Sequence, residues 1–319
     1  MAEASQTIGE TSPGQSREQL RSGAAGFSCV ICGQPLRSEP RVRLVKSQLN
    51  ACEACGSWTY LPRRSSSEQA AIHDTEEYFD HPYFALRRSV SPALIRRCRD
   101  IFGRLEQSTD IAALRGQRLL DVGCDTGGFL QAARQEFGIV PVGVDAASRS
   151  VEAMQRQGIE AHLGSIERAP SHLIDFSVIT AIDLIEHVSD PAGFLREIRE
   201  RLRPGGVVYL ETPNIQSAVY RVGCALNRLT HGRPEGLFER LFPPQHVQYF
   251  TMTSLAGLAR TAGFEVVLIK NRVLPWGDIA ASMPVRTAMS AMQLLDRGLG
   301  ARILIWAVLK RPASGAGRG

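Results

Sequence analysis

Three things are missing from this chain of 319 residues, and each absence excludes something. There is no long apolar run: the strongly apolar stretch near the end, residues 303–309, is far short of the about 20 residues that a membrane-spanning helix needs. The first residues, MAEASQTIGETSPGQS, are polar and lack the apolar segment of a secretory signal, so a cytoplasmic protein with reduced thiols is expected. Strong charge of one sign is absent too. The 37 basic and 32 acidic residues leave +5, too mild an excess to demand a nucleic-acid partner. What remains is an ordinary globular composition, 44% hydrophobic and 22% charged, long enough for one large α/β domain plus something small.

Seven cysteines are present, and four of them fall into a pattern. CVICG at 29–33 and CEACG at 52–56 are two C-x-x-C pairs, each followed by glycine, with nineteen residues between Cys32 and Cys52. Zinc takes four tetrahedral ligands, and each C-x-x-C turn presents two thiolates on one side. Cys29, Cys32, Cys52 and Cys55 are therefore the expected ligands of a structural zinc, with every position of the shell filled. RVRLV at 41–45 alternates as a short strand of such a ribbon would. So small a module could not fold on its apolar surface alone.

The centre of the chain is organised around RLLDVGCDTGGFL at 118–130. An apolar run ends in a turn carrying Gly123, Gly127 and Gly128, and apolar residues at helical spacing follow. Buried strand, tight turn and helix start are how open α/β sheets build a cofactor site at a strand's carboxyl end. Further strands are predicted at 140–144, 159–163, 176–182, 207–211, 264–270 and 302–309. Helices are predicted at 92–106, 148–157 and 191–202, from residue 253, and over 276–296. This alternation specifies a doubly wound, mostly parallel seven-stranded sheet whose last strand can insert antiparallel.

The organisation expected is a disordered tail over 1–26 and a zinc ribbon over 27–62. A linker and N-terminal helices over 63–115 lead into the α/β domain at 116–310, with a lid insertion at about 214–250, and a tail follows at 311–319. The linker carries four aromatics within residues 78–84, which pin it to the domain or place one tyrosine over the cofactor.

A dinucleotide turn needs G-x-G-x-x-G, but counting from Gly123 the second place holds Asp125. Asp145, at the end of the next strand, suits the ribose of either NAD or S-adenosylmethionine. Taken alone, the pair leaves both open. The downstream motifs narrow the choice: VGVD at 142–145, DLIEHVSDP at 183–191, LRPGG at 202–206, ETPN at 211–214 and QHVQYFT at 245–251. Together with the glycine turn they resemble the class I S-adenosylmethionine-dependent methyltransferases, in the branch similar to the ubiquinone-biosynthesis O-methyltransferases. The resemblance covers about residues 116–310, and part of that branch also carries an N-terminal four-cysteine module.

The resemblance implies a Rossmann-like methyltransferase fold and S-adenosylmethionine as cofactor. Gly123 and Gly127 would let its methionine part approach the backbone, Asp121 would fix its amino group, and Asp145 would take the ribose hydroxyls. Asp183 completes the cofactor set. The acid often found after the third strand is replaced by Gly164-Ser165, which leaves Ser165 or backbone for the adenine. Asp125 departs from the commonest glycine; its carboxylate either meets the cofactor's ammonium or caps the next helix.

His187 and His246 are the candidate bases, since an imidazole titrates near neutrality; alternatively each simply bonds backbone and fixes a loop. Asp183, Glu186, His187 and His246 also resemble the metal site of small-RNA 2′-O-methyltransferases, which would hold Mg²⁺.

The expected function is methyl transfer to oxygen or carbon of a small sugar, lipid or aromatic metabolite. One alternative is an RNA methyltransferase gripping nucleic acid through a ribbon made basic by Arg37, Arg41, Arg43, Lys46, Arg63 and Arg64. AIDL at 181–184 lacks the N-P-P-Y-like character that base-amine methylation usually uses. A non-catalytic cofactor-binding scaffold is the other alternative. No membrane span is expected, and the oligomeric state is not legible.

Overall fold

The computed structural model describes residues 26–65, 68–69, 90–273 and 302–313, and positions 287, 290, 291, 294 and 298. The aromatic cluster at 78–84, almost all of the tail at 1–26, most of the helix expected at 276–296 and the last residues of the C-terminal tail lie outside these residues.

Seven strands form the main sheet: β4 (Arg118–Val122), β5 (Val140–Asp145), β6 (Glu160–Leu163), β7 (Phe176–Ile182), β8 (Leu202–Pro213), β10 (Glu265–Arg272) and β11 (Leu304–Lys310). Their order is β10-β11-β8-β7-β4-β5-β6. β11 lies antiparallel to both its neighbours, and the pairings from β8 through β6 are parallel. The order reverses at β4, which lies between β5 and β7, and such a switch point opens a crevice at the strands' carboxyl ends.

The inner strands are buried on both faces, and β7 and β11 read as nearly unbroken apolar runs. On one face Leu120, Val142, Ile179 and Val208 pack against α4 (Pro191–Arg201) and α7 (Met252–Thr261). On the other, Leu119, Val178 and Val308 meet α1 (Pro92–Leu105), α2 (Gly128–Phe137) and α3 (Ser148–Arg156). The helix starts carry the expected chemistry. Ser91 accepts the amide of Leu94, Asp190 accepts that of Gly193 ahead of Pro191, and Thr251 and Ser254 close a reciprocal capping box. The strand predicted at 207–211 starts earlier, at Leu202, so the glycine pair at 205–206 does not precede it. The pair instead loops out within β8, which pairs with β7 on either side of a register shift between Phe176 and Val178.

The four-cysteine segment departs most from expectation. Besides β1 (Val42–Arg43) it contains β2 (Gln48–Ala51) and β3 (Trp58–Leu61), and its sheet does not stop there. β3 pairs antiparallel with β9 (Gln248–Tyr249), a strand of the insertion, giving the order β1-β2-β3-β9. Asn227, on insertion helix α5 (Ala218–Leu229), accepts the Arg43 amide at 3.0 Å and donates to the Arg43 carbonyl at 2.9 Å. Val42, Leu49 and Tyr60 share one apolar cluster with Tyr220, Phe242, Tyr249 and Phe238 of α6 (Glu235–Leu241). The segment is thus built into the insertion and is not an appended module. An edge as short as β3 gains partners for its backbone by this pairing.

Candidate active site

The turn after β4 takes its shape from two glycines. Gly123 and Gly127 have φ of +71° and +79°, and an added Cβ would lie 2.9 Å from Leu184 Cδ1 at the first and 2.7 Å from Met154 Cγ at the second. Asp125 between them also sits in the left-handed region, at φ 48°, a conformation aspartate tolerates better than most residues. Its amide donates to Asp145 Oδ2 at 2.9 Å, while Asp145 Oδ1 accepts the amide of Ala147 at 2.9 Å. The carboxylate of β5 thereby braces the glycine turn of β4. At the start of α2 the cap residue is Gly127, which has no side chain of its own to bond the first helical amides.

Asp121 is buried at the end of β4, with Thr180 donating to its Oδ1 at 2.6 Å. A small cleft beside it is lined by Leu94, Arg97, Asp121, Gly123, Asp125 and Phe129, among others. Ser165 follows β6 and Asp183 follows β7. Ser165, Asp145, Asp121 and Asp183 therefore stand at the ends of four consecutive strands, three spacings or about 14 Å across. An extended ligand laid over these ends would meet them all.

Beyond Asp183, the chain forms a short turn holding Glu186 and His187. His187 is buried, and its Nδ1 lies 3.0 Å from the carbonyl of Gln245, so it donates there and Nε2 is the basic nitrogen. Its ring meets that of His246 edge-on, with centroids 4.7 Å apart. The bland expectation for a histidine is met in part, since His187 does fix the loop bearing His246. Glu186 is fully buried and its Oε2 accepts from Thr212 at 2.9 Å; burial, and then the nearby Asp183 carboxylate, push its pKa well above the ordinary range. Ligating atoms of Glu186, His187 and His246 all lie within 4.8 Å of one another. Asp183 is not in that group and lies 3.7 Å from Arg97.

The cysteines converge as their spacing predicted. The sulfurs of Cys29, Cys32, Cys52 and Cys55 lie within 4.8 Å of one another, with Cys29–Cys55 at 3.7 Å and Cys32–Cys52 at 3.4 Å. Four sulfurs at about 2.3 Å from one tetrahedral zinc would be about 3.8 Å apart, so the cluster is of the right size. The Cys29 thiol is drawn down to about 4, chiefly by the bond from Cys55, against burial and with help from Ser57.

Sequence reasoning missed an ionic network beside the crevice. Glu211, wholly buried on β8, accepts from Arg97 at 2.8 Å, from Arg272 at 2.6 and 2.9 Å, and from the Tyr209 hydroxyl at 2.8 Å. Burial raises its pKa, but the Arg97 and Arg272 guanidiniums outweigh it and hold the carboxyl below the ordinary range. The signal was present: Arg97 falls three residues after Leu94 and four before Ile101, on the apolar face of α1. A charge there requires a buried partner.

Comparison with known proteins accords with this geometry. A family profile described as a methyltransferase domain matches residues 90–269. The ubiquinone biosynthesis O-methyltransferase of Paracidovorax citrulli is 27% identical over 192 residues, covering 56% of this chain and 79% of that protein. That of Albidiferax ferrireducens is 27% identical over 205 residues, covering 60% and 80%. Among solved structures, phosphoethanolamine N-methyltransferase 2 of Haemonchus contortus, with phosphomonomethylethanolamine and S-adenosylhomocysteine, is similar at a TM-score of 0.55 and 17% identity, over 81% of this chain and 63% of that one. The cyclase SpnF matches at 0.54 and 17%, over 79% and 99%. At such identities these two structures speak for the fold alone.

Proposed function

The chain belongs to the class I S-adenosylmethionine-dependent methyltransferases, and on that premise we propose that its acceptor is a small molecule methylated on a hydroxyl oxygen or on carbon. The observation that carries this reading is the His187–His246 pair. His187, in the turn after β7, is held by the Gln245 carbonyl, and the His246 ring packs between it and Tyr249 of the insertion.

The cofactor's adenosine would use Asp145 for its ribose and Ser165 for its adenine, and its methionine part would lie by Asp121, Gly123 and Gly127. Asp125 and Asp183 face the same edge. The sulfonium supplies an activated methyl group. Transfer is an in-line displacement, and alignment in a dry site contributes about 7–11 kcal/mol toward the barrier. A base matters when the acceptor is a hydroxyl. His246 is assigned that role, and His187 Nε2 is the alternative. The names of the ubiquinone relatives favour an oxygen acceptor, so aromatic hydroxyl compounds are the first to try.

The RNA alternative loses support from the same contacts. Arg63 donates to the Ser28 carbonyl, while Arg64 donates to the Pro244 carbonyl and stacks on Tyr60. Arg64 is thereby committed to the fold, while Arg63 keeps an exposed guanidinium edge.

Two metals are proposed with unequal roles. Cys29, Cys32, Cys52 and Cys55 would hold a structural zinc with no open position, and metal analysis of freshly purified protein is expected to give one zinc per chain. Glu186, His187 and His246 could hold a second divalent ion. One carboxylate and two imidazoles suit a transition metal better than Mg²⁺, which prefers oxygen ligands, and Asp183, turned toward Arg97, adds nothing to that set.

The test is methyl transfer from labelled S-adenosylmethionine to aromatic hydroxyl and sugar acceptors, with and without a chelator. His246→Asn is expected to lower kcat by about 10²–10⁴ with cofactor affinity unchanged. Full turnover in both His246→Asn and His187→Asn would remove the base assignment. Transfer to RNA and to none of the small acceptors would overturn the acceptor class.

A further inference from the structure

A second cleft, of ≈ 440 Å³, lies between the four-cysteine segment and the start of the insertion. Its walls carry Arg37, Arg41 and Arg221 against a single acid, Glu53, with Trp58 and Ile215 supplying apolar surface. Nothing in the methyl-transfer reading uses these residues. Arg37 is tied to Glu53 at 2.8 Å, but both side chains are well exposed, and such a pair holds its partner weakly. Among the described residues, Arg41 and Arg221 have no acidic partner, and the Arg41 Nε is buried without a hydrogen-bond acceptor. A buried donor left unmade is costly, so an arriving acceptor would relieve it.

The size and composition narrow the ligand. The cleft falls within the range of small-molecule pockets and exceeds what one carboxylate would fill. Guanidinium forks brought from two separate elements, the loop before β1 and helix α5, match the oxygens of a phosphate chain. The half-buried indole of Trp58 offers a face to a planar ring. Ile215 is three residues beyond Thr212, the partner of Glu186, so its Cα lies no more than about 11 Å from that of Thr212. The cleft thus has one wall within that distance of the Glu186 site.

We propose that this cleft binds the diphosphate and ring of a nucleotide-type small molecule, with Arg41 and Arg221 on the phosphates and Trp58 against the ring. The site stands independently of which acceptor atom receives the methyl group.

Titration calorimetry tests it, using full-length zinc-loaded protein saturated with S-adenosylmethionine so that the cofactor site is closed to the probes. Uridine diphosphate is expected to bind one-to-one, and inorganic pyrophosphate at least tenfold more weakly because it has no ring to stack. Arg41→Gln and Arg221→Gln should each weaken uridine diphosphate at least tenfold without changing cofactor affinity, which also reports that the variants fold. Trp58→Leu should bring the two probes to the same affinity. Three outcomes overturn the proposal. The first is no binding of either probe. The second is unchanged probe binding in both arginine variants with lowered zinc affinity, which would mean that the arginines merely offset the charge of the thiolates. The third is a short single-stranded RNA binding at least tenfold more tightly than uridine diphosphate.

Discussion

The two halves of the crevice are built in opposite ways. On the cofactor side, the bonds that shape the glycine turn join residues closer in sequence: Asp125 to Asp145 across 20 positions, and Thr180 to Asp121 across 59. On the acceptor side, the joints span most of the chain. Asn227 clamps Arg43 across 184 positions, Thr59 donates to Gln248 across 189, and Thr251 donates to the Cys55 carbonyl across 196. Neighbouring strands of one sheet can shape the first half among themselves. The second exists only where the N-terminal thiolate cluster and the late insertion meet, and neither has a complete sheet alone.

If this contrast is right, removing zinc should have the largest effect and should leave one half untouched. Zinc binding contributes about 10–16 kcal/mol in small zinc modules, so chelation is expected to unfold residues 27–61 and free β9. Hydrogen exchange should then show peptides over 245–251 losing protection while those over 118–130 keep theirs. Equal loss in both would break the comparison.

Next in size is Glu211→Ala, which strands Arg97 and Arg272 without their buried partner and is expected to cost about 3–5 kcal/mol by urea unfolding. Because the Glu211 pKa is depressed when folded, its contribution is complete above its ordinary 4.5 and is lost as pH falls through the lower folded value. The gap between variant and wild type should therefore narrow in acid.

Asp145→Ala should weaken S-adenosylmethionine by about 3 kcal/mol, over a hundredfold in Kd, since it removes the proposed ribose contact and the brace on Asp125. Protection at 245–251 should not change. Undiminished affinity would remove the ribose assignment.

The smallest effect is expected from Asn227→Ala, which deletes two hydrogen bonds at about 0.5–1.5 kcal/mol each. Its mark should be faster exchange at Arg43 with cofactor binding intact.

The same contrast explains what could be read in advance. The strand bounds 118–122 and 176–182 were legible to the residue because each is an apolar run punctuated by glycine or charge. The antiparallel last strand and the four cysteines were legible for similar reasons of pattern and spacing. β9 was not, since two residues carry no periodicity and their partner is at the other end of the chain. Asp183 illustrates a subtler limit. Its place in a metal-like motif was clear, but which way it faces depends on Arg97, a residue from a different helix. The Glu211 network fell between these cases: Arg97 was conspicuous on an apolar face, and only the fold could say that β8 answers it.

The pairing of β3 with β9 also bears on how the protein is made. At about 5–20 residues per second, the 189 positions from Thr59 to Gln248 take roughly 10–40 s to synthesise. Throughout that interval the nascent thiolate cluster can gather its metal, yet the outer edge of β3 has no strand to complete it. An open edge is a template for other chains, so ribosomes spaced along one message bring several such edges together. The interval is set by gene length between two strands, and slower translation lengthens it. Soluble yield should therefore be governed by crowding on the message as much as by the stability of the finished fold.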